Sequence, residues 1–205
     1  MNPAMKRICL ILLLSLCCLP LRAQTADGAV QQLEGSAREK AIAAILQAND
    51  LKTTLQFRFV MTRHSALLVE DLVSRGRAVY AYPDKVRWEV EQPRPSLFVM
   101  NGVDPGDRRQ QSILRNVAKM GDKGLINETD FTVTVYAAPR VWQVDLVPLR
   151  RDLSQFFTRI TLLTDAGTGV LRSVVLSEQS GDTTQLEISS VVRGGEVDFA
   201  LFQKP

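Results

Sequence analysis

Cysteine is scarce in this chain: three occur, and all of them, Cys9, Cys17 and Cys18, precede Pro20. The rest of the sequence has no thiol, which excludes disulfide staples and thiolate metal sites from it. Histidine is scarcer still, since His64 is the only one. One imidazole without a thiol cannot build a nitrogen- and sulfur-ligated metal centre. A Ser-His-Asp triad would also have to use His64, which stands in a polar turn with no nucleophile elbow nearby and reads as a solvated side chain. No glycine-rich phosphate loop follows any strand pattern. The carboxylates of Glu70 and Asp71 are neighbours, and adjacent strand residues face opposite ways. Glu89 and Glu91 share a polar face of a strand and read as solvated. Neither an enzyme nor a cofactor is expected.

Net charge is also missing once the chain is divided. The 25 basic residues include Lys6, Arg7 and Arg22, whereas all 22 acidic residues lie beyond Ala23, so 22 of each sign remain there. A neutral body offers no field for nucleic acid. The first 23 residues read as a targeting segment. Lys6 and Arg7 form a basic start, and the apolar run from Ile8 to Leu19 is short for a bilayer span. Ala23 then offers a small residue for cleavage, with Leu21 and Arg22 before it. Leu16 stands before Cys17, and Cys17 before Cys18, where a lipidation signal wants Gly, Ala or Ser. A soluble exported protein is therefore expected, with a lipid-anchored one as the alternative. Residues 24–205 suffice for one core, by the usual size of roughly 100–200 residues per domain.

Strands dominate what is there. Gly76 to Gly102 reads as a meander of three, with turns at Pro83-Asp84 and Asn101-Gly102. Lys85 to Glu91 alternates strictly, with Val86, Trp88 and Val90 on one face and Lys85, Arg87, Glu89 and Glu91 on the other. Pro93 and Pro95 break the run before Leu97 to Met100 resumes it. Upstream, Val30 to Gln47 has a helical pattern, with Ser36 as a cap and Ile42, Ile45, Leu46 and Asn49 facing one way. Leu55 to Thr62 alternates as a strand, and a second strand is expected from Leu67 to Ser74 after a turn at His64-Ser65. Downstream, Gln110 to Met120 reads as a second helix with Ile113, Leu114 and Val117 on one stripe. Five strands follow: Phe131–Ala137, Val141–Val147, Phe157–Thr164, Val170–Ser177 and Thr183–Val191. A helical turn is expected at Leu153 to Phe156, and Asp198 to Phe202 is expected to tuck a Phe under the sheet. About ten short strands with two or three helical pieces make an α+β fold on one large antiparallel sheet. So many consecutive strands curl strongly or close. Such a sheet has a concave apolar face that short helices only partly fill, which suits a carrier of something apolar.

The run from Phe57 to Gly102 resembles LolA, the periplasmic carrier of outer-membrane lipoproteins. The resemblance rests on Phe57-x-Phe59, Ser74-x-Gly76-x-Ala78-x-Tyr80, the segment Tyr82 to Trp88, Pro93, and Asn101-Gly102. It continues more loosely through Val144-x-Leu146-x-Pro148, Ile160 to Leu163, Glu178 to Thr184, and Phe199-x-x-Phe202. It implies an unclosed β-barrel of ten or eleven strands with a lid of helices over an apolar hollow that holds lipoprotein acyl chains. An inner-membrane exporter would deliver the cargo and an outer-membrane acceptor would receive it, with the carrier a monomer. On this basis Phe57, Phe59, Val86, Trp88, Val90, Phe98, Met100, Trp142 and Val144 are expected to line the hollow. Ile42, Ile45 and Leu46, with Ile113, Leu114 and Val117, are expected to form the lid. Tyr82 stands where the family has a lid-locking arginine, and its single hydroxyl implies a weaker polar latch. Two alternatives stay open: a shuttle for another lipid or glycolipid, and a lipid-sensing regulatory module of the same fold.

Overall fold

A computed structural model describes residues 30–102 and 126–203 of the chain. The targeting segment, the second helix from Gln110 to Met120 and its residues Ile113, Leu114 and Val117 lie outside the described residues. Ten strands form one antiparallel, unclosed sheet: β1 (Gln31–Gln32), β2 (Leu55–His64), β3 (Leu72–Ala81), β4 (Lys85–Gln92), β5 (Ser96–Asn101), β6 (Phe131–Ala138), β7 (Val141–Pro148), β8 (Phe157–Asp165), β9 (Leu171–Glu178) and β10 (Thr183–Arg193). Helix α1 spans Gly35–Ala48, the short α2 spans Arg151–Ser154, and a 3-10 turn covers Phe199–Phe202. None of the described helices is long and apolar enough to cross a membrane.

In space the strands run β1-β6-β7-β8-β9-β10-β2-β3-β4-β5. The chain thus builds two meanders, β2 to β5 and β6 to β10, and joins them by pairing its last strand with the first of the other set. That seam extends from Thr183 opposite His64 to Arg193 opposite Leu55, and one extra residue enters β10 between Ser189 and Val192. Ser190 takes φ 51° within this bulge. An inserted residue reverses the faces of everything beyond it, because side chains alternate with a period of two.

The register places one continuous apolar face across the sheet. Phe57, Ala78, Trp88 and Phe98 stand opposite one another across β2 to β5. Val135, Val144, Leu162, Val174 and Leu186 do the same across β6 to β10. Gly76 is required in this arrangement. A Cβ there would meet the Glu89 carbonyl oxygen at 1.9 Å and the Phe59 ring at 2.8 Å.

Three sequence expectations are corrected. Val30 to Gln32 is not helical, since Gln31 and Gln32 pair with β6 as the edge strand β1. Helix α1 starts at Gly35 with Glu34 as its N-cap and no side-chain cap, and Ser36 lies inside the first turn. The separate strands drawn from Leu67 to Ser74 and from Gly76 to Tyr82 are one strand, β3, with an irregularity at Arg75/Gly76. Leu67 to Asp71 belongs to the hairpin tip instead. The Leu68 amide donates to the Ser65 carbonyl there, 3.0 Å away, and Leu67 and Val69 are fully exposed. An apolar run in a turn has neither a ladder partner nor a core to face, so hydrophobicity alone overcalled it as strand.

The outer face is not uniformly charged either. Val79, Ala81 and Val99 on it form a small core with Phe202, which is 1% exposed. The Arg87 guanidinium donates to the Leu201 carbonyl at 3.1 Å and pins the C-terminal turn over β4. The rest of that face is laced by Arg58 with Glu91 and by Arg77 and Arg87 with Glu89.

Candidate ligand-binding face

Helix α1 lies on the β6–β9 half of the apolar face. Ala41 and Ile45 are fully buried among Val135, Val144, Leu146 and Leu162, and Ile42, Leu46 and Trp142 pack against the same cluster at partial exposure. Val144 is therefore floor beneath the helix. The other half carries a second cluster of Tyr80, Val86 and Met100, joined by Leu51, Leu55 and Phe98. Beside it Trp88 stacks on Phe59, with ring centroids 4.1 Å apart and planes 24° off parallel, and meets Phe57 edge-on at 6.1 Å. Phe59 is buried, whereas Phe57, Trp88, Val90 and Phe98 stay partly exposed.

All nine side chains expected to line the hollow thus fall on one face of one sheet. They divide by position: Trp142 and Val144 sit with α1, and the other seven lie on β2, β4 and β5. Tyr82 is 41% exposed in the turn between β3 and β4, away from the strands that carry α1.

A polar clamp holds the far end of α1, and sequence reasoning did not find it. Asn49, 4% exposed, caps the helix. Its side-chain amide donates to the carbonyls of Ile45 at 2.7 Å and Gly169 at 2.8 Å. Its oxygen accepts from the Leu171 amide and from the Arg193 guanidinium, each at 3.0 Å. All four hydrogen-bonding positions of this side chain are used. Gly169, at φ 71°, lets the β8–β9 turn come this close, because a Cβ there would lie 2.7 Å from the Ala44 carbonyl oxygen.

The clamp borders a cleft of about 40 Å³, walled by Leu51, Leu55, Phe57, Leu171, Ile188 and Val191, with Asn49 and Arg193 as its polar members. Arg193 reaches it because of the bulge in β10. Before the bulge the even residues Leu186 and Ile188 face inward opposite Met61 and Phe59; after it Val192 is exposed and Arg193 stands opposite inward-facing Leu55. Burial pushes the Arg193 pKa down from its ordinary value, with the charge of Asp50 acting the other way.

His64 is exposed and bonded through Nδ1 to the Asp71 carboxylate at 2.8 Å. Glu89 and Glu91 are occupied by the arginines of the outer face.

A LolA superfamily protein from Nitrosomonas europaea matches at 10% identity and a TM-score of 0.43, over 79% of this chain and 97% of the other. A chain of the MucA/MucB complex of Pseudomonas aeruginosa matches at 14% identity and a TM-score of 0.47; it aligns with 83% of this chain, which spans only 62% of that longer one. A DUF1329 family protein from Desulfovibrio piger matches at 7% identity and a TM-score of 0.38, over 80% and 96%. No family model and no curated protein matches the sequence. At such identities and TM-scores the likeness carries no residue role.

Proposed function

We propose that this protein is an exported carrier that shelters acyl chains against the inner face of its sheet, moving lipoproteins across the periplasm between the inner and outer membranes. The observation that supports it is the apolar face itself. It runs unbroken across the sheet, and Phe57, Trp88, Val90 and Phe98 on it remain partly exposed. Together they leave a contiguous apolar area open to a ligand.

The energetics suit a shuttle. Burying a methylene contributes about 0.8 kcal/mol, so one long acyl chain gains on the order of 10 kcal/mol. Held against nothing else, such cargo would leave too slowly. Ile42, Ile45 and Leu46 already occupy part of the face, and with only Ile45 fully buried their burial is worth at most roughly 5–9 kcal/mol. Cargo that displaces α1 gives up much of its own gain, which leaves an exchange that partners can tip either way. An inner-membrane exporter and an outer-membrane acceptor are the partners this role requires.

Lipid mass spectrometry on the protein purified from its native cell envelope tests the proposal. Acylated peptides are the expected finding. Another lipid would move the reading to a different cargo, and recovering neither would count against any carrier role.

A further inference from the structure

Among the described residues the Arg193 guanidinium is the one cation lining the apolar cleft, and one of its nitrogens has a hydrogen-bond partner. Nη2 donates to Asn49. Nη1 is buried and has no hydrogen-bond partner among the described residues. Asn49 cannot supply one, since its amide oxygen already accepts two hydrogen bonds and its amide nitrogen already donates two. No carboxylate among the described residues forms an ion pair with Arg193, and the Asp50 side chain instead accepts from the Lys52 amide. A buried donor on a full charge costs stability unless something accepts from it. The bulge that turns Arg193 inward keeps that donor beside Leu55 and Phe57. The empty space is about 40 Å³, roughly that of three waters, each needing about 10–15 Å³ by this measure. An oxygen of a carboxylate or a phosphate fits it.

We propose that the Arg193 cleft is a head-group subsite, which takes the anionic oxygen of an acyl amphiphile on Nη1 while the chain runs out over Leu55 and Phe57 towards Trp88. The subsite rests on the carrier reading, because the chain needs the apolar face. It goes beyond the lipoprotein cargo, whose acyl chains end in neutral esters and an amide, and adds a second ligand class for the same face: an acyl chain that ends in a carboxylate or a phosphate. The guanidinium offers parallel donors that match either anion. The apolar walls favour a ligand whose charge and chain arrive together.

Displacement of a fluorescent naphthylamine dye from the full chain tests this, with laurate, lauryl phosphate, methyl laurate and acetate as competitors. The subsite predicts that laurate or lauryl phosphate competes about tenfold or more better than methyl laurate, the usual worth of a hydrogen bond to a charged group. Whichever anion shows the larger preference identifies the head group. Acetate, which has the charge without the chain, should leave the dye in place at the same concentration. Arg193→Gln should abolish the preference for the anion over methyl laurate. Equal competition by ester and anions in the unaltered protein overturns the subsite while leaving the carrier reading intact, and needs no variant to fold. An Arg193→Gln protein that keeps the preference overturns it as well, as does acetate competing as well as laurate. If no acyl compound displaces the dye, the carrier reading fails and takes the subsite with it.

Discussion

Replacing Asn49 with alanine should release the helix that covers half of the apolar face. The side chain makes four hydrogen bonds from one buried position, and three of them reach beyond its own helix to Gly169, Leu171 and Arg193. The Ile45 carbonyl loses little, because the Asn49 backbone amide also donates to it at 3.0 Å. The Gly169 carbonyl and the Leu171 amide lose the partner that Asn49 gave them. An orphaned buried group costs about 1–3 kcal/mol, and since the Leu171 amide is only part-buried, the Gly169 carbonyl sets most of a loss of about 1–3 kcal/mol. A domain of this kind has only about 5–15 kcal/mol to lose. Urea unfolding followed by tryptophan fluorescence measures the change as a lower midpoint at unchanged slope. Hydrogen exchange should show the amides of α1 losing protection before those of β6 to β8. Asn49→Asp supplies a control: it keeps an acceptor for Leu171 and Arg193, loses both donors, and should fall between the two. A midpoint for Asn49→Ala that corresponds to less than about 1 kcal/mol would refute the reasoning, since one ordinary hydrogen bond is worth that much. Packing of Ile45 and Ala41 alone would then hold the helix.

Gly76→Ala should disrupt the sheet at β3 and β4, because no rotamer relieves a Cβ lying 1.9 Å from a backbone oxygen; loss of the Trp88 emission signature and of soluble yield would report it, and a stable protein with native emission would contradict the geometry. Acid should weaken the fold through Asp165 and Asp182. The Thr168 hydroxyl and amide hold the first below its ordinary pKa, and the Arg63 and Ser65 side chains hold the second below its own. A carboxyl depressed on folding contributes stability above its unfolded value, about pH 4, and that contribution is lost as pH falls through the folded one. Asp182→Asn should therefore flatten the acid limb of a stability-against-pH curve, and an unchanged limb would exclude this source. At Tyr82, a change to Phe removes one hydroxyl worth about 0.5–1.5 kcal/mol and should alter exchange of a fluorescent fatty acid only modestly. Tyr82→Arg should slow that exchange if the β3–β4 turn latches the cover, and identical rates for all three proteins would show that it does not.

The strands were legible because apolar and polar residues alternate along them. Val86, Trp88 and Val90 announce their shared face in the primary sequence, and the structure puts them on one side of β4. Ile45 and its neighbours were legible for the corresponding reason at helical spacing. Arg193 was not, because alternation counted from Ile188 sends it outward, and only the residue inserted between Ser189 and Val192 turns it in. A bulge has no composition of its own, and Ser190 at φ 51° is an unremarked serine in the sequence. Asn49 was grouped with the apolar stripe of its helix, and its position there is right. Its partners Gly169 and Arg193 could not be read, since nothing local ties them to it. The hairpin tip at Leu67 and Val69 misled in the opposite direction, because hydrophobicity without a partner resembles a strand. Phe202 was expected beneath the sheet, but the outer-face cluster it joins was hidden among charged neighbours.

The pairing of the last strand with the first of the other meander sets the order in which this molecule can be made. Asn49 and Arg193 are bonded in the finished fold yet lie 144 positions apart in the chain. Helix α1 emerges before any of the strands β6 to β9 on which its apolar stripe rests, and β2 has an open edge until β10 arrives. Local turns can assemble β2 to β5 early, but the seam must wait for a long loop to close, which makes such topologies slow to fold. During that wait the unpaired edge of β2, with Phe57 and Phe59 along it, is a template for the wrong neighbour. Truncations that remove β10 should therefore accumulate as aggregates rather than as shorter soluble proteins, and a folding helper that binds extended apolar strands would act during this interval.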